Sequence, residues 1–206
     1  MNKITRITTI RHGQTVYNVE RRYAGTIDVP LNAKGVEDAK NASHRLMDYE
    51  FDTVVTSGLK RAIQTAELLI DKRKLPIIQN ELCNERDYGK MQGLTYVEVE
   101  DINPRILYLK LNSDFHSLNP PDGEDFPTLR KRAEAFSEYL FQNFSGSNIL
   151  VVSHSAFMQQ LHGLFRGFDW TESLRYDIHN LACYTFTFKG KKLVENIPAN
   201  LLVGNW

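Results

Sequence analysis

Four consecutive large aliphatic residues, Ile149-Leu150-Val151-Val152, stand between Asn148 and Ser153. A strand that is apolar at every position has to be covered on both faces, the usual state of a parallel strand buried in an α/β sheet. Strand-like and helix-like stretches alternate along the rest of the chain. Ile4, Ile7 and Ile10 with Thr5, Thr8 and Thr9 read as a β-branched strand that Gly13 breaks. Phe51 to Thr56 and Leu75 to Gln79 read as two further strands. Between them, Leu59, Ala62, Ile63, Ala66, Leu69 and Ile70 recur at helical spacing, with Ser57 expected as the N-cap. Lys72, Arg73, Lys74 and Pro76 mark the end of that helix. Val36, Ala39, Ser43, Leu46 and Met47 predict an earlier helix; Leu129, Ala133, Phe136, Leu140 and Phe144 predict a long later one. Another helix is expected from Phe157 to Phe165, and Cys183 to Phe188 should pair with Leu193 to Ile197 as a hairpin across Lys189-Gly190-Lys191. This order predicts an α/β fold, a mainly parallel sheet flanked by helices on both faces.

Residues 81 to 127 interrupt the alternation with Gly89, Gly93, Pro104, Pro120, Pro121 and Pro127. They read as a partly helical insertion over the catalytic edge of the sheet, with short helical pieces around Tyr96 to Leu111. A length of 206 residues fits one domain, 1–206, carrying that insertion.

The chain has 25 basic and 25 acidic residues, so no global field draws it to nucleic acid or to an anionic membrane. No apolar run reaches membrane-spanning length, and the stretch from Met1 lacks the apolar centre of an export signal. Cys83 and Cys183 have neither metal-ligand spacing nor a disulfide framework, so a reducing, cytoplasmic setting is expected. His44, His116, His162 and His179 show no ligand spacing either and are expected to be structural or exposed. No metal and no cofactor are expected, and the sequence does not set an oligomeric state.

In a parallel sheet the carboxyl ends of the strands share one edge, where ligands bind. Arg11-His12, Ser57 with Arg61, Glu85, and His154 all fall at or just beyond such ends. Two imidazoles, two guanidiniums and one carboxylate suit phosphoryl transfer through a phosphohistidine. A neutral imidazole attacks phosphorus, the guanidiniums grip phosphate oxygens, and the carboxyl group protonates the leaving oxygen. Fixed positive charge can then stabilise the transferring group without a metal. The same charge should hold His12 below the ordinary histidine pKa of about 6.5.

Several blocks together resemble the histidine phosphatase superfamily, on its phosphoglycerate mutase-like branch. They are Arg11-His12-Gly13-Gln14-Thr15 with Asn18; Arg21 to Thr26 with Asp28, Pro30, Leu31 and Gly35; Thr56 to Ala62 with Gln64-Thr65-Ala66; Asn84 to Gly89 with Gln92-Gly93; Pro121-Asp122-Gly123-Glu124; and Val152-Ser153-His154. The resemblance implies His12 as the phosphorylated nucleophile and Arg11, Arg61 and His154 as holders of the phosphoryl group. Asn18 would be a further donor, and Glu85 the general acid and then base. Ala24, Gly25, Ser57, Arg86, Tyr88, Glu124 and Ser155 are expected to meet the substrate. Glu124 either approaches the site or caps the helix starting near Thr128. The helix beginning near Ser155 is expected to aim backbone donors at the anion.

Two departures bear on activity. Ser155 stands where the family usually has glycine after its second histidine. Tyr96 stands where the mutases carry a lysine, and no arginine pair occurs between Tyr96 and Pro120. The missing second anion grip favours hydrolysis of small phosphorylated metabolites over mutase action. An intact set of five reacting residues disfavours a regulatory module without turnover. A covering insertion disfavours a phosphoprotein phosphatase.

Overall fold

The apolar run becomes the middle of a sheet. The computed structural model describes residues 3–71, 73–112 and 114–200; Lys72, one of the expected helix-end markers, lies outside them. The strands are β1 (Ile4–Arg11), β2 (Thr53–Thr56), β3 (Ile77–Gln79), β4 (Tyr108–Leu111), β5 (Asp114–Ser117), β6 (Asn148–Ser153), β7 (Ala182–Lys189) and β8 (Lys192–Asn200). Six form one sheet in the order β3-β2-β6-β1-β7-β8. The first four are parallel; β7 and β8 add an antiparallel hairpin at the far edge.

The helices are α1 (Val16–Val19), α2 (Ala33–Arg45), α3 (Lys60–Ile70), α4 (Phe126–Phe144), α5 (Ser155–Arg166) and α6 (Trp170–Ser173). Alternation along β6 sends its residues into two separate cores. Ile149 and Val151 join Leu129, Phe136 and Leu140 of α4 and Phe157 and Leu161 of α5 on one face. Leu150 and Val152 join Ala39 and Leu46 beside α2, and Ala62, Ala66 and Leu69 of α3, on the other. All four β6 side chains are completely buried. The mostly parallel sheet with helices on both faces is therefore as expected.

Two local expectations are corrected. Ser57 does not cap α3: the cap position is Leu59, which offers no side-chain acceptor, and the Lys60 amide donates to Asp28 Oδ1 at 2.7 Å instead. A carboxylate from another loop thus does the work expected of a local hydroxyl. Between β3 and α4, the expected helical pieces at Tyr96 to Leu111 reduce to one 3₁₀ turn, Glu98–Asp101. Tyr108–Leu111 is the first strand of the β4–β5 hairpin. This covering segment has its own small core of Met91, Val99 and Ile106, against which Tyr23, Tyr88, Leu94 and Ile102 pack. Gly89 ties it down. Its φ of +51° favours glycine, and a Cβ there would sit 2.0 Å from the Pro121 carbonyl oxygen.

Candidate active site

Strand register brings the reacting groups together. Arg11 is opposite Ser153 and Thr56 is opposite Val152, so β1 and β6 end level and β2 ends one residue short of them. His12, His154 and Ser57 are each the next residue. The His12 amide donates to Ser153 O at 3.0 Å, and the two imidazole rings lie 5.1 Å apart, tilted by 55°. Arg61 follows from the first turn of α3, and Glu85 from the loop after β3.

His12 is nearly fully buried. Its Nδ1 donates to Gly13 O at 2.7 Å; a carbonyl only accepts, so Nδ1 carries the proton and Nε2 keeps the lone pair. Burial first, then the Arg61 and Arg11 guanidiniums, hold its pKa well below the ordinary value. At neutral pH the ring is uncharged. Asn180 Nδ2 donates to His12 O at 2.8 Å and braces this turn from the loop before β7.

Arg61 has no exposed surface. Its Nη1 donates to Ile27 O at 2.8 Å, its Nη2 to Gly25 O at 2.7 Å and its Nε to His154 Nδ1 at 3.2 Å. Burial lowers its pKa to about 10, so it stays charged. Because Nδ1 of His154 accepts, Nε2 carries the proton and donates to Ser57 Oγ at 2.7 Å. Both ring nitrogens of His154 are therefore engaged. Burial and the cations around it push its pKa well down. Arg11 donates from Nη1 to Ile178 O at 2.5 Å, while its buried Nε has no protein partner. Asn18 Oδ1 accepts from the Thr15 amide at 3.0 Å, which leaves its amide nitrogen as the group that can donate.

Glu85 is 9% exposed. Its Oε1 accepts from the Arg86 amide at 2.9 Å and the Phe157 amide at 3.2 Å, and its Oε2 from the Ala156 amide at 3.5 Å. The first-turn amides of α5 at 156 and 157, expected to face the anion, are thus taken by Glu85. Ser155 instead donates from Oγ to Ile178 O at 3.2 Å.

These groups open onto a cavity of about 850 Å³. Arg11, His12, Asn18, Ala24, Gly25, Arg61, Glu85, Arg86, Tyr88 and Ser155 line it. Three expected site residues do not. Ser57 and His154 sit behind the wall, supporting Arg61. Glu124 forms a two-pronged ion pair with Arg132, at 2.9 and 2.6 Å. It does not cap α4 either, because Asp125 Oδ1 accepts from the Thr128 amide at 2.8 Å. The two carboxylates are adjacent in sequence; the extended backbone at 125 makes Asp125 the cap, while Arg132 holds Glu124.

Arg132 was not legible in the sequence, because nothing in its local spacing marks it. It donates to Leu82 O at 3.0 Å, Asn84 O at 2.6 Å and Glu85 O at 3.1 Å, clamping the loop that carries Glu85. Tyr23, Tyr108, Phe115 and His116 also line the cavity without having been singled out for it. Arg86 is buried with its guanidinium 3.8 Å from the Phe126 ring centre, and its Nη2 has no protein partner. Among the described residues no cluster of three or more His, Cys, Asp or Glu could hold a metal ion. No described helix is long and apolar enough to cross a membrane.

Comparison with known proteins identifies the family and the fold. Residues 7–197 match the model of the histidine phosphatase superfamily, branch 1. The chain is 34% identical over 158 residues to an adenosylcobalamin/alpha-ribazole phosphatase of Escherichia coli, 76% of each chain. It is 31% identical over 159 residues to a 2,3-bisphosphoglycerate-dependent phosphoglycerate mutase of Cytophaga hutchinsonii, 75% of this chain and 74% of the relative. The crystal structure of the alpha-ribazole phosphatase from Shigella flexneri superposes with a TM-score of 0.82 at 26% identity, covering 98% of this chain and 99% of that one.

Proposed function

This chain belongs to the histidine phosphatase superfamily and is a phosphoric monoester hydrolase, and we propose that it hydrolyses small phosphorylated metabolites without a metal, through a phosphohistidine on His12. The observation that carries this reading is the state of His12. Its proton is fixed on Nδ1 by Gly13 O, its Nε2 lone pair is left for attack, and burial, then two guanidiniums, keep the ring neutral.

In the first step His12 Nε2 bonds to phosphorus as the bond to the alcohol oxygen breaks. Glu85 gives its proton to that oxygen, and the alcohol leaves. In the second, Glu85 takes a proton from water, the water oxygen bonds to phosphorus, and the N–P bond returns its electron pair to Nε2. Inorganic phosphate departs and both residues are restored. Arg11 and Arg61 stabilise the charge on the transferring oxygens throughout. Arg11 Nε, which has no protein partner, and the Asn18 amide nitrogen are donors left to meet them. His154 and Ser57 hold the Arg61 guanidinium in its plane, a supporting role in place of direct contact with phosphate.

Hydrolysis is favoured over mutase action because Tyr96, not a cation, lines the cavity where a second anion would need to be held. The free, buried thiols of Cys83 and Cys183 suit a reducing compartment, with the cytoplasm as the place of work. The test is rapid-quench labelling with a phosphorylated substrate. Phosphate stable to alkali and labile to acid should appear on the chain and vanish in His12→Ala. Label persisting in that variant, or 3-phosphoglycerate isomerising faster than phosphate is released, would overturn the reading.

A further inference from the structure

The loop that leads into β7 lies beyond the last sequence block that resembles the family, yet it reaches the nucleophile and the phosphate donors together. Ile178 O accepts from Arg11 Nη1 at 2.5 Å and from Ser155 Oγ at 3.2 Å. The Leu181 amide donates to Arg11 O at 3.0 Å. Between these contacts Asn180 turns inward, and its Nδ2 meets three acceptors: His12 O at 2.8 Å, Gly13 O at 3.3 Å and Asn18 Oδ1 at 3.4 Å. Leu181 makes the turn possible. Its φ of +58° is a left-handed value that is strained for leucine. The side chain is buried all the same, in the core it shares with Ile10, Leu150 and Val152. That burial holds the kink, and the kink aims Asn180 at the site just before β7 takes up its register with β1.

Two of the three acceptors already have a task. Gly13 O decides which nitrogen of His12 carries the proton, because it accepts from Nδ1 at 2.7 Å. A carbonyl oxygen has two lone pairs. Asn180 takes the second, so the oxygen that fixes the tautomer is itself fixed. The His12 amide is held by Ser153 O at 3.0 Å and its carbonyl by Asn180, which pins the residue on both sides. Asn18 is held in the same manner. Its Oδ1 accepts from the Thr15 amide at 3.0 Å, from Thr15 Oγ1 at 3.1 Å and from Asn180 Nδ2. A flipped Asn18 amide would set N–H against three donors. Its nitrogen is therefore turned to the cavity, which Asn18 lines and Asn180 does not.

We propose that Asn180 is a positioning residue for phosphoryl transfer: its one amide group sets the Nδ1–H form of His12 through Gly13 O and turns the Asn18 donor to the phosphate. The proposal rests on the reading of His12 as the nucleophile. Asn180 touches neither the substrate nor the reacting atoms, and acts through the two residues that do.

Nitrogen-resolved NMR of the imidazole rings reads the tautomer in the resting protein, with the His12 signals identified by their loss in His12→Ala. In Asn180→Leu, close in shape but without a donor, the His12 ring should move from the Nδ1–H form towards a mixture with the Nε2–H form. kcat/KM should fall about tenfold, by the same factor on an alkyl phosphate and on p-nitrophenyl phosphate, because the attacking atom and not the leaving group is disturbed. Combined with Asn18→Ala, the loss should be smaller than the product of the two single losses, since both pass through one amide. Asn180→Ala gives the same readings should the leucine variant fail to fold. The spectra need no turnover, so a moved tautomer supports the positioning role even if no phosphate is found on His12. A merely structural Asn180 would lower the urea midpoint and leave the ring in its Nδ1–H form. That result, a loss confined to the alkyl phosphate, or losses that multiply in the double variant would overturn the proposal.

Discussion

Glu85 shows how much of a reacting group's behaviour is decided by neighbours that never touch the substrate. Three backbone amides, from Arg86, Ala156 and Phe157, hold its carboxyl oxygens, and Arg132 grips three carbonyls of the loop behind it. The Arg132 guanidinium is balanced by Glu124, whose side chain is only 11% exposed. If Glu85 donates the proton to the leaving oxygen, Glu85→Gln should slow an alkyl phosphate by roughly 10²–10⁴-fold. The loss on p-nitrophenyl phosphate, whose leaving group needs little protonation, should be far smaller. Arg132→Met should give the same leaving-group signature in weaker form, because it moves Glu85 without removing it. It should also destabilise by about 3–5 kcal/mol through the stranded Glu124 charge, and Glu124→Gln in the same chain should recover part of that stability. Parallel kcat/KM profiles across leaving groups and urea midpoints check both halves. Equal losses on all substrates would assign Arg132 a purely structural role.

At the scale of elements, the sheet is held by β6. Leu150 is fully buried against α2 and α3, so Leu150→Ala should cost about 2–5 kcal/mol. Ile77→Ala, on the three-residue edge strand β3 where the side chain is only partly covered, should cost distinctly less. Urea denaturation with an unchanged m-value measures the difference. The same burial contrast explains what could be read from the sequence. The helices α3, α4 and α5 were legible because a continuous core imposes period 3.6 on their apolar residues, β1 from its β-branched run, and β6 because it is apolar throughout. The β4–β5 hairpin was not: Tyr108 and Lys110 are exposed while Leu109 and Leu111 are partly buried, a pattern too short and too weakly covered to separate strand from helix. Within the site, residues fixed by strand ends, His12 and His154 above all, were legible from their position. Arg132, Asn180 and the aromatic wall were not, since their roles depend on contacts between distant segments that no local spacing records. Glu124 and Ser57 carried ambiguous signals for the same reason. An acid or a hydroxyl beside a helix start reads as a cap until the fold supplies a different partner.

For the molecule as a whole, three buried imidazoles set the acid limit. His12, His154 and His162 all have pKa values pushed well below the ordinary one, chiefly by burial. The unfolded chain takes up protons on these rings near pH 6.5, and the folded chain does so only at much lower pH. Their contribution is thus complete above about pH 6.5 and is lost as the pH falls, at up to about 1.4 kcal/mol per pH unit for each ring. Urea titrations should show proton uptake on unfolding that grows as the pH falls from 6.5 to 5, towards one per ring for these three, with the lowered His116 adding to it. His162→Gln, away from the cavity, should reduce the uptake near pH 5 by about one, and a stability independent of pH in this range would contradict the assignment. The covering segment shares in this economy of burial only in part: Leu109, Leu111 and Leu118 pack against the core beside α4 and α5. Its small core of Met91, Val99 and Ile106 belongs to neither of the two cores that clamp the sheet. The wall that meets the alcohol can therefore accumulate heritable change while the edge that handles phosphorus keeps its alignment. Descendants of one such chain could diverge in diet without having to reinvent the reaction.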